Sequence, residues 1–76
     1  ALLDRATFDG ANLSNAHFED ASLRETRFVG ADVEGAAFDR ADLTGADFTG
    51  ASLFGTTFDG ARLDGARFDP GAEPAS

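Results

Sequence analysis

Few side chains in this sequence could carry out covalent or acid–base chemistry. His17 is the single histidine, and the chain contains no cysteine. Glu19 lies two residues further on and could orient the imidazole, as a carboxylate does in a general-base pair. A nucleophile is missing from this pair, because the nearby hydroxyl of Ser14 belongs to a different five-residue block. We therefore interpret His17 as a surface residue and predict that the protein is not an enzyme.

Acidic residues dominate the charged positions. The 76 residues include 14 Asp and Glu against 6 basic residues, which gives a formal net charge of −8. Three of the acids, Glu19, Asp39 and Asp59, recur at intervals of twenty residues. A column of carboxylates could bind Ca²⁺, but calcium sites wrap about six to eight oxygens around the ion with the help of a loop. The sequence has no such loop, so we predict neither a metal nor a cofactor.

A five-residue repeat runs through the chain and must position these side chains. Each block has a bulky apolar residue at its centre, and two residues earlier it has Ala, replaced only by Thr26 and Thr56. Five residues advance an α-helix by about 500°, and in a strand they reverse the face, so neither element would give an apolar side. We therefore predict that the chain turns once per block. The centres are Leu3, Phe8, Leu13, Phe18, Leu23, Phe28, Val33, Phe38, Leu43, Phe48, Leu53, Phe58, Leu63 and Phe68.

The alternation of the centres predicts how many blocks complete one turn of the coil. Stacking Leu on Leu and Phe on Phe requires an even number of blocks, and two blocks would enclose too little space for Phe. Four blocks also place an acid twenty residues from every arginine, whereas three blocks would stack Leu on Phe. The predicted pairs are Arg24 with Asp4, Arg40 with Asp20, Arg5 with Glu25, Arg27 and Arg67 with Asp47, and Arg62 with Asp42.

Blocks such as 41–45, 46–50 and 31–35 resemble the pentapeptide-repeat family, whose pattern is a small residue, a polar one, Leu or Phe, and two variable polar residues. The resemblance covers residues 1–70. It implies an all-β fold, a right-handed quadrilateral β-helix with the small and central residues inside. Seventy residues at twenty per coil give about 3.5 coils, stacked over roughly 17 Å. We predict a short irregular, flexible C-terminal tail at 71–76.

The two ends of the predicted coil differ. The chain starts in register at Ala1, so the first coil is expected to expose an open apolar end at Leu2 and Leu3. We interpret this end as the edge of an excised fragment or as a docking surface, with end-to-end self-association as one use of it. At the other end, Pro70 and Pro74 lack the N–H needed to extend a ladder and are predicted to blunt that edge.

The outward residues can be sorted by face, and the faces are numbered by their first centres: Leu3, Phe8, Leu13 and Phe18 for faces 1 to 4. Faces 1 and 2 are nearly balanced in charge, whereas faces 3 and 4 hold five of the net eight negative charges. Phe54 is an aromatic residue at an outward position of face 3, where an interface anchor is one interpretation and a lone exposed aromatic the other. The candidate partner-binding residues are Glu19, Asp20, Asp32, Glu34, Asp39, Phe54 and Asp59.

These residues favour a non-catalytic protein–protein interaction module or scaffold that presents an acidic surface to a protein partner. The alternative implied by the resemblance is a DNA mimic that inhibits or protects a type II topoisomerase, gyrase. A second alternative is a purely structural or designed repeat array. Direct nucleic-acid binding is disfavoured because each arginine is expected to meet an acid. The sequence shows no transmembrane run or signal peptide, so we predict a cytoplasmic protein without membrane contact.

Overall fold

In the computed structural model, which describes residues 2–72, each five-residue block forms a short extended piece followed by a turn. This part of the chain contains neither a helix nor a strand longer than one residue pair; its β structure consists of isolated parallel bridges. Every bridge joins residues twenty apart, from Leu2 with Ser22 to Asp47 with Arg67. The predicted register of four blocks per coil is therefore confirmed.

Backbone hydrogen bonds tie each coil to the next. The N–H of the central Leu23 donates to the carbonyl of Asp42 at 2.8 Å, and the N–H of Asp42 donates back to the carbonyl of Ala21 at 3.0 Å. The same two bonds recur around the coil, for example from Phe28 to Asp47 and from Asp47 to Thr26. Each side of the coil thus contributes one parallel bridge, too short to count as a strand.

A turn at every corner changes the direction of the chain. The N–H of Ala46 donates to the carbonyl of Leu43 at 2.9 Å, and Gly45 between them has a φ of 73°. A positive φ at the third residue is the mark of a type II turn, and glycine adopts it at little steric cost. Five corners reach a positive φ without glycine: Arg5, Asn15, Asp20, Glu25 and Arg40.

The last corner departs from the repeat. Its fifth position is Pro70, whose ring holds φ near −65° and excludes the positive value that the corner needs. The positive φ moves to Gly71, at 84°, and the turn closes one residue late, from the N–H of Ala72 to the carbonyl of Asp69 at 2.9 Å. The predicted tail at 71–76 therefore begins with an ordered turn, and residues 73–76 lie outside the described part of the chain.

The interior is a column of stacked apolar side chains. Leu23, Val33 and Phe38 are completely buried. Phe28 and Phe48, one coil apart, stack with ring centroids 4.6 Å apart and planes 2° apart. Phe38 on the opposite side meets Phe48 edge-to-face at 5.7 Å. The alternation of Leu and Phe therefore places both phenylalanine columns on opposite sides, where their rings interlock across the interior.

The small inward positions complete the core. Thr26 is buried and donates its hydroxyl to the carbonyl of Leu23 at 2.8 Å, and Thr56 donates to the carbonyl of Val33 at 2.7 Å. Both bonds satisfy a hydroxyl that stands where other blocks have alanine. The Cα atoms extend over 24 × 23 × 23 Å, so the body is about as wide as it is long. Within residues 2–72, no helix has the length and apolarity to cross a bilayer.

Candidate protein-interaction surface

Carboxylates on face 1 bind groups of the neighbouring coil. Asp4 accepts a hydrogen bond from the Ser22 hydroxyl at 2.6 Å and another from the backbone N–H of Arg24 at 3.0 Å. The guanidinium Nε of Arg24 lies 3.7 Å from the same carboxylate, so this predicted pair is confirmed. The Ser22 hydrogen bond, followed by that from Arg24, lowers the pKa of Asp4 below its ordinary value.

Two aspartates form hydrogen bonds within their own block. Asp42 accepts from the Thr44 N–H at 3.1 Å and from its hydroxyl at 2.6 Å, and Asp47 binds Thr49 in the same way at 2.9 and 2.6 Å. These bonds, with the threonine hydroxyl first, lower the pKa of both aspartates. The carboxylates thereby cap the N–H of the residue that enters the corner, in the manner of an Asx-turn.

The predicted arginine pairs are only partly correct. Arg40 binds Asp20 at 3.0 Å, as predicted. Arg27 instead binds Asp9 at 3.1 Å, and Arg62 binds Asp64 in its own block at 3.3 Å. The remaining predicted pairs do not come within salt-bridge distance among residues 2–72. Asp42 and Asp47, the acceptors predicted for these arginines, instead bind Thr44 and Thr49. A threonine is closer in the chain and loses less side-chain entropy than a long arginine.

Face 4 carries the predicted carboxylate column. Glu19 lies 3.2 Å from the Nδ1 atom of His17. A hydrogen bond from its own backbone N–H, and then the one to His17, lower the pKa of Glu19, while the negative charge of Asp39 acts in the opposite direction. Asp39 has a buried Oδ1 atom without a hydrogen-bond partner in the described residues. Asp59, one coil further, is exposed and likewise lacks a partner there.

Face 3 brings together an aromatic and two acids. Among the large apolar residues in residues 2–72, only Phe54, at 84 %, and Leu2, at 86 %, are exposed. Asp32 accepts the backbone N–H of Glu34 at 3.1 Å, and Glu34 is exposed. The structure therefore places Phe54 outward, as the sequence predicts. At the first coil Leu2 is exposed and Leu3 is half-buried against the core.

Two further features were not predicted from the sequence. Arg5 and Glu25, expected to pair, instead line a shallow cavity of about 280 Å³ together with Arg24 and Thr44. Asp69 accepts the backbone N–H of Gly50 at 3.1 and 3.0 Å, because the shifted turn at Pro70 brings its carboxylate to the ladder. In residues 2–72, no three His, Cys, Asp or Glu side chains are grouped so that they could hold a metal ion.

The repeat matches a known family model and several solved structures. A family model described as a pentapeptide repeat region matches residues 1–69. None of the curated proteins matches the chain. Among solved structures, it resembles the pentapeptide repeat protein Rfr23 from the cyanobacterium Cyanothece 51142, with a TM-score of 0.86, 29% identity, and coverage of 90% of this chain and 47% of that one.

Two other solved structures are also similar. A pentapeptide repeat protein from the Arabidopsis thaliana thylakoid lumen matches with a TM-score of 0.83 and 39% identity, over 84% of this chain and 44% of that one. A trypsin-treated QnrB1, a plasmid-mediated fluoroquinolone resistance protein, matches with a TM-score of 0.55 and 29% identity, over 83% of this chain and 38% of that one. The present chain thus spans less than half the length of each of these proteins.

Proposed function

Since the chain belongs to the pentapeptide-repeat family, we propose that it is a non-catalytic protein-interaction module that uses faces 3 and 4. Its coil is inferred to be right-handed and four-sided, as the resemblance to the family implies. The repeat supplies a rigid frame in which every outward position has a fixed neighbour one coil away, about 4.8 Å distant. Such a frame suits recognition of a partner's surface more than chemistry on a bound substrate.

The exposure of Phe54 is the observation that carries the proposal. An aromatic side chain that is 84 % exposed gains almost nothing from the fold, and aromatic residues are enriched at the centres of protein interfaces. The other residues at this position of face 3, Ser14 and Glu34, are polar, so the repeat itself does not require an aromatic here. A partner that covers Phe54 would bury it.

Free carboxylates on face 3 and on the adjacent face 4 support the same surface. Glu34, Asp39 and Asp59 make no side-chain hydrogen bond or ion pair within residues 2–72. Asp20 is held by Arg40, and Glu19 by His17, so these two predicted surface residues are already engaged within the chain. A partner with a positive surface would therefore meet the exposed Glu34 and Asp59 before the two engaged acids, whereas Asp39 keeps one carboxylate oxygen buried.

A pull-down with immobilised protein tests the proposal. The variant carries Phe54→Ser with Glu34→Gln and Asp59→Asn, and a matched control that also loses two negative charges carries Asp64→Asn and Glu25→Gln on face 1. A partner retained by the intact chain and the control but lost by the variant would support the module. Equal capture by all three proteins would direct attention to the ends of the coil and would contradict the use of faces 3 and 4.

Topoisomerase binding is the second candidate, and the similarity to QnrB1 is the observation that favours it. Duplex DNA carries one charge per about 1.7 Å, or about 14 charges over a body 24 Å across, against the net charge of −8 here. The charge density is therefore lower than that of DNA and is confined mainly to two faces. A supercoiling assay with purified gyrase tests this candidate; unchanged supercoiling at a large molar excess of the chain would exclude it.

The first coil is a separate candidate for association. Leu2 is exposed, and Phe8 and Leu13 are only partly buried at this end. We propose end-to-end self-association through Leu2 and Leu3 as an additional property. Sedimentation velocity over a range of concentrations, with Leu2→Ser as the comparison, tests it; a monomer at every concentration for both proteins would exclude it.

A further inference from the structure

Face 3 is unusual because it has carboxylates but no cation. Arginines occupy outward positions on faces 1, 2 and 4, whereas the outward positions of face 3 contain none. Asp32 and Glu34 accordingly make no ion pair within residues 2–72. Asp32 does cap the Glu34 N–H, but one backbone bond leaves its charge uncompensated. Face 3 therefore presents negative charge that the chain itself does not neutralise.

The coil register places this charge beside Phe54. The N–H of Gly35 donates to the carbonyl of Phe54 at 3.0 Å, and Asp32 forms a parallel bridge with Ser52. Phe54 consequently lies one coil beyond Glu34 in the same outward column, at the spacing of stacked strands, about 4.8 Å. With 84 % of its surface exposed, the ring is open to a group approaching from solvent.

The corner residues next to Glu34 and Phe54 are both glycines. Both of the successive corner residues, Gly35 and Gly55, lack a side chain, and an added Cβ at Gly55 would lie 3.7 Å from the backbone N of Gly35. On face 4 the corner beside the free Asp39 is Arg40, whereas the corner beside the free Asp59 is again a glycine, Gly60. The side chain of Asn15 lies over Gly35, whereas no side chain of residues 2–72 lies over Gly55, so a partner's main chain can approach face 3 closely at Gly55.

We propose that Phe54 and Glu34 form a seat for a cationic side chain, arginine or lysine, in a basic segment of the protein partner. A guanidinium or ammonium over the ring face is attracted by the ring quadrupole, and the carboxylate one coil away compensates its charge. Asp32 adds a second negative charge on the same face. The inference rests on the proposed interaction function and specifies the chemistry of the partner at that surface.

A peptide pair with one difference in charge tests the seat directly. The probes are a short glycine-flanked arginine peptide and the same peptide with neutral citrulline in place of arginine, titrated into the intact chain and followed by amide chemical shifts. We expect the arginine peptide to shift residues of face 3 and to bind more tightly than the citrulline peptide. Phe54→Leu keeps an apolar side chain but removes the aromatic ring, and should weaken arginine binding by about two- to fivefold.

Charge variants separate a defined seat from general attraction to an acidic protein. Glu34→Gln should weaken arginine binding by at least a factor of about two, whereas the matched Asp59→Asn on face 4 should change it less. Equal binding of both peptides, an unchanged affinity in Phe54→Leu, or equal effects of the two charge variants would each overturn the seat. All of these residues are exposed, so thermal unfolding of each variant should match that of the intact chain.

The seat and the proposed function can fail independently. If a partner is captured through Phe54 but Glu34→Gln and added salt leave the capture unchanged, the interaction module stands and the cationic seat is wrong. If no partner depends on faces 3 and 4, yet the arginine peptide binds with the expected variant pattern, the proposed function is wrong while the seat's chemistry is supported.

Discussion

Faces 1 and 2 differ from faces 3 and 4 in what their carboxylates do. On faces 1 and 2, the acids other than Glu25 bind a hydroxyl, a backbone N–H or a guanidinium of the same chain. On faces 3 and 4, Glu34, Asp39 and Asp59 have no side-chain partner within residues 2–72. On one frame, nearly all the acids of faces 1 and 2 therefore serve the fold, whereas three of the six acids of faces 3 and 4 remain free.

This difference shows that net charge alone is a poor guide to a binding surface. A carboxylate that accepts backbone N–H groups is already satisfied, and a partner that took it over would have to replace those bonds. A free carboxylate gains a partner without that loss. The candidate surface is therefore defined less by where acids are numerous than by where they are unengaged.

The largest predicted effect concerns the core, which all faces share. Phe48 on face 2 and Phe38 on face 4 are both buried. Replacing either one by Ala should lower the free energy of unfolding by about 3–5 kcal/mol, because each leaves a cavity in the stacked rings. Urea denaturation should give similar losses for the two variants. A large difference between them would show that the faces differ in packing as well as in their outer side chains.

An exposed aromatic provides the control for this pair. Phe54→Ala should change the free energy of unfolding by no more than about 0.5 kcal/mol, since its side chain packs against little. A loss approaching that of Phe38→Ala would mean that Phe54 is part of the fold and would remove the main support for its role as an interface anchor.

The next effect is the dependence of stability on pH. The pKa values of Asp42 and Asp47 are lowered in the folded chain by their threonine hydrogen bonds. A lowered folded pKa gives stability that is present above the unfolded pKa, about 3.9, and is lost as the pH falls through the folded value. The melting temperature should therefore fall when the pH is lowered from 5 towards 2.

A double variant isolates the contribution of these two groups. Asp42→Asn with Asp47→Asn keeps acceptor oxygens for the threonines but removes the titrating carboxylates. Its melting temperature should depend less steeply on pH than that of the intact chain. An unchanged slope in this double variant would contradict the role of the two threonine-bound aspartates.

The fold could be predicted from the sequence because its signals repeat. The inward residues and the register of twenty are each indicated by many blocks, so a departure such as Val33 or Thr26 does not obscure them. In two blocks an aspartate, Asp42 or Asp47, is followed two residues later by a threonine, a pattern that is typical of an Asx-turn. Sequence reasoning assigned these aspartates to arginines one coil away instead.

Side-chain partners and the final corner could not be predicted in the same way. A long arginine such as Arg62 can reach several acids, and it binds Asp64 in its own block rather than Asp42 in the preceding coil. Pro70 was expected to blunt the edge of the ladder. The spacing did not show that the positive φ of this corner moves by one residue to Gly71 and that the turn closes at Ala72. Glu34 and Asp59 remain without an ion pair in residues 2–72 because the paired arginines bind other acids, and this choice of partners could not be predicted from the spacing either.

Single substitutions of one engaged aspartate on face 2 and one free aspartate on face 4 should differ in their effect on the free energy of unfolding. Asp47→Ala removes the hydrogen bonds to the N–H and hydroxyl of Thr49, and should cost about 1 kcal/mol. Asp59→Ala removes no bond among the described residues and should leave the free energy of unfolding nearly unchanged. Urea denaturation at pH 7 distinguishes these outcomes, and equal losses would contradict the division between engaged and free carboxylates.

The smallest effect is expected from the middle of the carboxylate column. Asp39 lies between Glu19 and Asp59 in the twenty-residue register, and like charges at this spacing repel. Asp39→Asn should therefore stabilise the chain by a few tenths of a kcal/mol at low salt. The gain should shrink when salt is raised to about 1 M, where the screening length is about 3 Å. Denaturation at both salt concentrations measures this; a destabilised variant would show that the Asp39 carboxylate supports the fold, as the acids of faces 1 and 2 do.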